Sequence, residues 1–447
     1  ALQRHPLAIL VLMRRMFTWQ QIPKMMELKA LLEAAVAQHP EWPAAERGNL
    51  LGECDLIQSF LFYNDITQMS RLHRSASRQM SRPAVTLRNS GSWTFGSPSV
   101  LMMYYRAPGE LGKELAEMYE CMPHYYKITN GHGQGAELLM DAEAAYLQGA
   151  WEKAAVLLER ARADAAGQEN MTLCCDFLAL RLALCGKGKE EYDFAAKRAA
   201  LLQKHDGVQV HLLESIVAYF YALQGRPEQA PELFREHKLA EVSFFGPCRP
   251  MMSLIEQQVW LAQGEYVKVI AHSEGLLRRC EAMHYGLVGL QARIQLAAAQ
   301  LRFGQRAEAR AALAAALLDA VQDDFWVLFV EQYPALAPLL EGEDWAVCEP
   351  RLGPFVARIL PAGRAFAVRL GLPAPAPELP LTDRDRELAR LVAGRCTNKE
   401  IAAALYLSEG TVKQYINQLY AKLDMGGDPR TRRARLAEWY QKNAPRN

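Results

Sequence analysis

The side chains with most to offer chemically are Thr411, Lys413, Gln414, Asn417 and Lys422, interleaved with Val412, Ile416, Leu419 and Leu423. The apolar four are spaced by four, three and four residues, so they share one face of a helix and leave the polar set on the other. That polar set joins ammonium groups, which suit phosphate oxygens, to carboxamides that can pair bidentately with the edge of adenine. Ordinary solvation would account for any one of these residues. Several of them on one helical face offer what a duplex groove requires.

The preceding residues supply the elements that must position that face. Thr382 is a good N-cap for a first helix, with Asp383 and Asp385 in its first turn, where the helix dipole favours negative charge. Leu388, Leu391 and Val392 form its apolar side, and it ends near Gly394. Thr397 or Asn398 can cap a second helix, Lys399 to Leu405, with Ile401, Ala402 and Leu405 inward. After the break Tyr406-Leu407-Ser408, Ser408 can cap the third. Two short helices joined by a three-residue turn predict a helix-turn-helix, whose second helix enters a major groove. Arg430, Arg432, Arg433 and Arg435 add charge near a fourth helix running to about Lys442. Residues 381–447 carry 13 Lys/Arg against 8 Asp/Glu, a net of +5, which leaves −4 for the rest of a 447-residue chain whose total is +1. The positive region is therefore local.

Upstream, helical periodicity dominates from residue 23 to about 320. Gly149, Gly188, Gly225, Gly264 and Gly304 recur at intervals of 39, 37, 39 and 40 residues, each after a helix-like stretch, and the Gly188 copy is the least regular. Such a glycine can end one helix in a left-handed C-cap, and a small residue five positions later (Ala154, Ala230, Val269, Ala309) lets the next helix approach closely. Hairpins of this kind cannot bury their own apolar faces and stack into a solenoid with a concave groove. The pattern resembles tetratricopeptide repeats stretched from about 34 residues, and Phe60–Ile66 reads as a degenerate earlier copy. Four prolines between residues 371 and 380 exclude helix there and mark a stiff connector. The expected fold is all-α: a tetratricopeptide-like sensor domain over 1–370, a linker over 371–380, and a four-helix helix-turn-helix domain over 381–447.

The terminal segment is identified as similar to the DNA-binding domain of LuxR/NarL regulators. The resemblance rests on Leu381-Thr-Asp-Arg-Asp-Arg-Glu, Gly394-Arg-Cys-Thr-Asn-Lys-Glu-Ile-Ala402, Leu405-Tyr-Leu-Ser-Glu-Gly-Thr-Val-Lys413 and Lys422-Leu423, and covers about 45 residues. It implies base-edge contacts from Lys413, Gln414 and Asn417, and backbone contacts from Thr411, Lys399 and Lys422. Tyr415, Gln418 and the loop at 426–430 depart from the family pattern, which bears on the operator sequence and the fourth helix. Together with the repeats, the chain resembles the large MalT-like regulators, which place a nucleotide-binding switch domain ahead of a helical sensor. No G-x-x-x-x-G-K-[ST] phosphate loop is present in this sequence. The chain opens on Ala within helix-like sequence, as a piece of a longer protein would.

Nine cysteines, odd in number and without a C-x-x-C pair, read as reduced thiols of a cytoplasmic protein. The apolar run Leu7–Met13 is seven residues long and is followed by Arg14-Arg15, far short of the ~20 residues of a membrane span. No catalytic motif, metal cluster or cofactor fingerprint stands out. His124, His284, Trp151, Trp260 and Tyr266 read as packing residues. The stretch Phe244–Met252 interrupts the helical pattern with bulky residues and one cation, so Phe245 and Arg249 are candidates for binding an anionic or hydroxylated ligand. The expected function is a non-enzymatic transcription regulator in which a small-molecule or protein inducer acts on the helical domain. Its expected partners are double-stranded DNA, bound as a dimer, and RNA polymerase. The competing readings are a protein-interaction scaffold and a fragment of an ATP-dependent switch.

Overall fold

The computed structural model describes residues 5–87, 91–188, 192–204, 206–372, 383–423, 425 and 428–443, and among them every regular element is helical. The linker expected over 371–380 lies almost wholly outside the described residues, as does Thr382. The chain opens with α1 (Pro6–Thr18), α2 (Ile22–Gln38), α3 (Ala44–Ser59) and α4 (Ile66–Gln79). Phe60–Ile66 is the junction of α3 and α4, where the Asp65 carboxylate accepts the Gln68 N–H (3.0 Å). A short α5 (Leu101–Tyr104) and a long α6 (Leu111–Thr129) follow. Next come the repeats: α7 (Ala136–Leu147) with α8 (Trp151–Asp164), α9 (Glu169–Leu184) with α10 (Phe194–Gln203), α11 (Gly207–Leu223) with the one-turn α12 (Glu232–Arg235), α13 (Arg249–Ala262) with α14 (Tyr266–Met283), and α15 (Gly286–Phe303) with α16 (Arg306–Ala320). α17 (Val327–Glu331), α18 (Tyr333–Leu340) and α19 (Leu352–Arg369) close this part.

The repeat turns share one device. At Gly149, Gly225, Gly264 and Gly304 the backbone is left-handed, with φ between 67° and 88°. In each, the N–H one residue on reaches back to the carbonyl five residues earlier: Ala150 to Ala145 (2.8 Å), Arg226 to Tyr221 (2.9 Å), Glu265 to Trp260 (2.9 Å) and Gln305 to Gln300 (2.8 Å). These bonds satisfy carbonyls that a helix end would otherwise leave bare. The irregular copy is corrected from Gly188 to Gly186, which has φ 73° and the same bond from Lys187 to Leu182 (2.9 Å). The Gly225 copy lacks a full second helix, because Pro227 and Pro231 each remove a backbone donor. Ala154, Ala230, Val269 and Ala309 are buried, as close approach of paired helices requires.

The expected concave groove is not open. Residues 93–105 run through it and are mostly buried, and α5 packs on both α7 and α15. This segment has little helix of its own, so its polar backbone depends on side chains. Asn170 accepts the Trp93 (3.0 Å) and Thr94 (3.3 Å) N–H groups, and Glu143 accepts that of Leu101 (2.6 Å). Burial raises the Glu143 carboxyl to about 7. The inner helices are therefore covered on both sides, which explains why α9, α11 and α15 are buried nearly all round, polar side chains included.

A Cβ at Gly149 would lie 2.1 Å from the Trp326 ring, whereas one at Gly167, also left-handed (φ 83°), meets nothing within 4 Å. Gly167→Ala is expected to cost about 1 kcal/mol, the conformational penalty alone. Gly149→Ala should cost roughly 2–3 kcal/mol more through overpacking. Urea unfolding of the two variants beside wild type checks the difference.

Candidate DNA interface and sensor cavity

The C-terminal residues form α20 (Asp383–Ala393), α21 (Asn398–Ala404), α22 (Glu409–Lys422) and α23 (Pro429–Asn443). Their core is a cluster of its own: Leu388, Leu391 and Val392 from α20, Ile401 and Ala402 from α21, Val412, Ile416, Leu419 and Tyr420 from α22, and Leu436 from α23. Leu405 and Leu423 pack at its edge. Thr397 and Glu400 form a reciprocal capping box: the Glu400 N–H donates to Thr397 Oγ1 (3.3 Å) and the Thr397 N–H to Glu400 Oε2 (2.6 Å). The Thr397 N–H also holds the Glu400 carboxyl below its ordinary value. Ser408 caps α22, accepting the Thr411 N–H (3.1 Å), and its hydroxyl meets that of Thr411 (2.7 Å). The turn between α21 and α22 puts Tyr406 in the left-handed region (φ 56°) with its side chain 96% exposed.

Because α22 buries Val412, Ile416 and Leu419, its opposite face is turned outward. Lys413, Gln414 and Asn417 are exposed together there, Thr411 is half-buried at the N-terminal end, and Lys399 is exposed on α21. Lys422 stands apart from these residues. Its Nζ lies 2.6 Å from Asp385 Oδ2, its stem lies against Gly304, and only 6% of the side chain is exposed. A last-turn lysine beside a first-helix carboxylate is held as an internal ion pair and is not presented with the other residues. Arg433 is also structural, donating to Asn398 Oδ1 (3.1 Å) and to the Cys396 carbonyl. Arg432 stacks over Tyr420 (5.5 Å) and Arg384 over Tyr415 (5.0 Å). The Arg430 side chain lies outside the described residues.

Residues 379–431 match the family described as bacterial regulatory proteins, luxR family. They are a luxR-family domain. Among curated proteins, the chain is 41% identical over 75 residues to the uncharacterized transcriptional regulatory protein YvfU of Bacillus subtilis, covering 17% of this chain and 36% of that protein. It is 42% identical over 65 residues to the DNA-binding transcriptional activator DevR/DosR of Mycobacterium tuberculosis, covering 14% and 29%. With the transcriptional regulatory protein DesR of Bacillus subtilis it shares 46% over 46 residues, covering 10% and 23%. The chain thus spans about a third or less of the length of these relatives. No solved structure matches the chain at a significant level.

The helical array ahead of the luxR-family domain holds a cavity of about 830 Å³. Its walls come from α1, α4, α6, the start of α11, residues 91–95 and the turn at 245–247. Phe245 lines it, edge-on to Phe95 at 6.4 Å between ring centres. Arg249, the other candidate of that stretch, does not line it. It begins α13, beyond the 246–248 turn, and its side chain is exposed. Among the described residues the cation in the cavity wall is Arg14, which in the sequence merely follows an apolar run. Two histidines line the cavity as well. His132 faces the Tyr125 hydroxyl through Nδ1 (2.7 Å) and the Gly91 carbonyl through Nε2 (3.1 Å), so Nε2 carries the proton and the tyrosine donates to Nδ1. His73 lies between Cys121 Sγ (3.1 Å) and Ser59 Oγ (2.9 Å). Burial lowers His73 to about 3 and His132 to about 4. Among the described residues no group of three His, Cys, Asp or Glu is placed to hold a metal ion, and no helix is long and apolar enough to cross a membrane.

The two caps make a local prediction. Thr397→Ala and Ser408→Ala should each remove about 1 kcal/mol, read as roughly fivefold faster amide hydrogen exchange within residues 383–423 and no change in the repeats.

Proposed function

We propose that this protein is a DNA-binding transcription regulator in which the helical array, residues 1–370, receives a signal and residues 381–447 read duplex DNA, with residues 371–380 as the connector. The observation that carries the reading is the outward face of α22: Lys413, Gln414 and Asn417 exposed side by side on a helix fixed by its cap and its buried stripe. Gln414 and Asn417 are suited to adenine edges, Lys413 to guanine or phosphate, and Thr411 and Lys399 to the flanking backbone. Lys422 is left out of this set because its charge is already paired. A protein-interaction scaffold would leave that exposed amide face, and the luxR-family match, without a use.

A single reader of this size buries only about 600–1,000 Å² on DNA. Pairing of two chains on adjacent half-sites would raise affinity through effective concentration. RNA polymerase is the partner an activator of this kind would contact, and the cytoplasm is where both are met. The inducer would act on the helical array and shift how readily the reader engages DNA.

The test is electrophoretic mobility of the full chain on duplexes selected from a random-sequence pool. Lys413→Ala and Asn417→Ala are each expected to weaken specific binding about tenfold or more. Lys413→Ala should also lower the slope of log affinity against log salt by about one, while Lys422→Met leaves that slope unchanged. Specific binding untouched by both alanine variants would refute the assignment of α22.

A further inference from the structure

We propose that the cavity beside α1 is the sensor's ligand site and that it takes an apolar monoanion, a carboxylate or sulfonate on an aromatic or acyl body, with Arg14 as its counter-ion. This deepens the regulator reading by naming the class of signal. The volume, about 830 Å³, falls within the range of small-molecule sites, and such sites are mainly apolar with a few placed polar groups. Here the apolar part is aromatic and flexible: Phe60, Trp93, Phe95 and Phe245 offer rings, and Met69 and Met122 offer side chains that adapt to shape.

Among the described residues of the wall, the charge of the ligand follows from Arg14 and Asp206. Asp206 is already engaged, since its carboxylate accepts the Gln209 N–H (3.2 Å) as the N-cap of α11. Arg14 is not. Its guanidinium carbon lies 4.4 Å above the Phe60 ring and 5.6 Å from that of Phe17, and its buried Nη1 has no hydrogen-bond partner among the described residues. A guanidinium stays charged under any ordinary condition, and ring faces compensate only part of its lost hydration. Among the described residues no carboxylate acts on it: burial pulls its pKa down, and the Tyr125 hydroxyl opposes. The flanking histidines are neutral, so they add no second positive charge. The one cation among the described lining residues suits a singly charged group better than a phosphate, which asks for several donors. Two further buried atoms, Ser92 Oγ and Gln209 Oε1, also lack partners among the described residues and belong to residues of this cavity's lining, where a ligand hydroxyl or N–H would satisfy them.

Fluorescence titration of the full chain, without DNA, tests this with anilinonaphthalene sulfonate, an aromatic monoanion, beside its uncharged counterpart phenylnaphthylamine. One sulfonate is expected to bind per chain, at least tenfold more tightly than the neutral dye. Arg14→Met should remove that preference and leave the neutral dye's affinity unchanged. Met69→Trp, which narrows the cavity without touching Arg14, should weaken both dyes and keeps the test decisive if the arginine variant fails to fold. Competition with naphthoate and with decanoate then separates an aryl from an acyl body, whichever displaces the dye at lower concentration being the closer class. Equal affinity of wild type for both dyes, sulfonate binding unchanged in Arg14→Met, or binding unaffected by Met69→Trp would each overturn the proposal. Because DNA is absent, a failure here leaves the α22 assignment standing, and a failure of DNA binding leaves this result intact.

Discussion

One buried ion pair sets the geometry on which the helical array depends. Arg181 on α9 and Glu331 on α17 are 3% and 2% exposed, joined by two hydrogen bonds of 2.8 and 3.1 Å. Tyr146 of α7 and Tyr219 of α11 donate to the same carboxylate (2.7 and 3.2 Å), and the guanidinium lies 4.7 Å over the Tyr146 ring. Removing two charges from water is costly, and the loss is offset only where nearly every donor and acceptor is used. The arrangement therefore tolerates one placement of α17 against three successive inner helices. With α17 fixed, Trp326 seats on the Gly149 turn, its indole N–H reaching the Gln148 carbonyl (2.8 Å). Asp323, just before it, accepts the Tyr105 hydroxyl (2.6 Å) and the Gly109 N–H (2.5 Å). That anchors the segment whose Trp93, Phe95 and Tyr104 wall the cavity.

Local signals in the sequence were legible because the forces behind them are local. The left-handed glycines, the buried small residue after each, the capping box at Thr397 and the cap at Ser408 all involve neighbours within one or two turns. The four helices of the C-terminal unit follow nearly residue by residue from the apolar spacing of Leu388, Ile401, Val412 and Ile416. Where the structure departs from the repeat pattern, a competing local rule wins: Gly186 displaces Gly188 as the cap, and two prolines cut short the helix after Gly225.

What periodicity could not reveal are contacts between residues far apart in the chain. Arg181 and Glu331 are separated by 150 positions, and nothing in either neighbourhood announces the other. The same holds for Lys422 with Asp385, which turned an expected phosphate contact into an internal pair. The segment over 93–105 has neither helical nor alternating pattern, so its burial in the groove had no signature. Phe245 is marked in the sequence because it breaks the helical pattern, whereas Arg14 only follows an apolar run and is set over Phe17 and Phe60 by the fold alone.

The array and the reader have separate hydrophobic cores, so on the proposed reading a signal is transmitted as a shift in how the two units associate, without either being rebuilt. The central claim is that α22 enters the major groove, and methylation interference tests it most directly. Dimethyl sulfate marks guanine on the major-groove edge and adenine on the minor-groove edge of the same duplex. The account predicts that guanine methylation within the bound site blocks the complex while adenine methylation does not. Interference confined to adenine would contradict it.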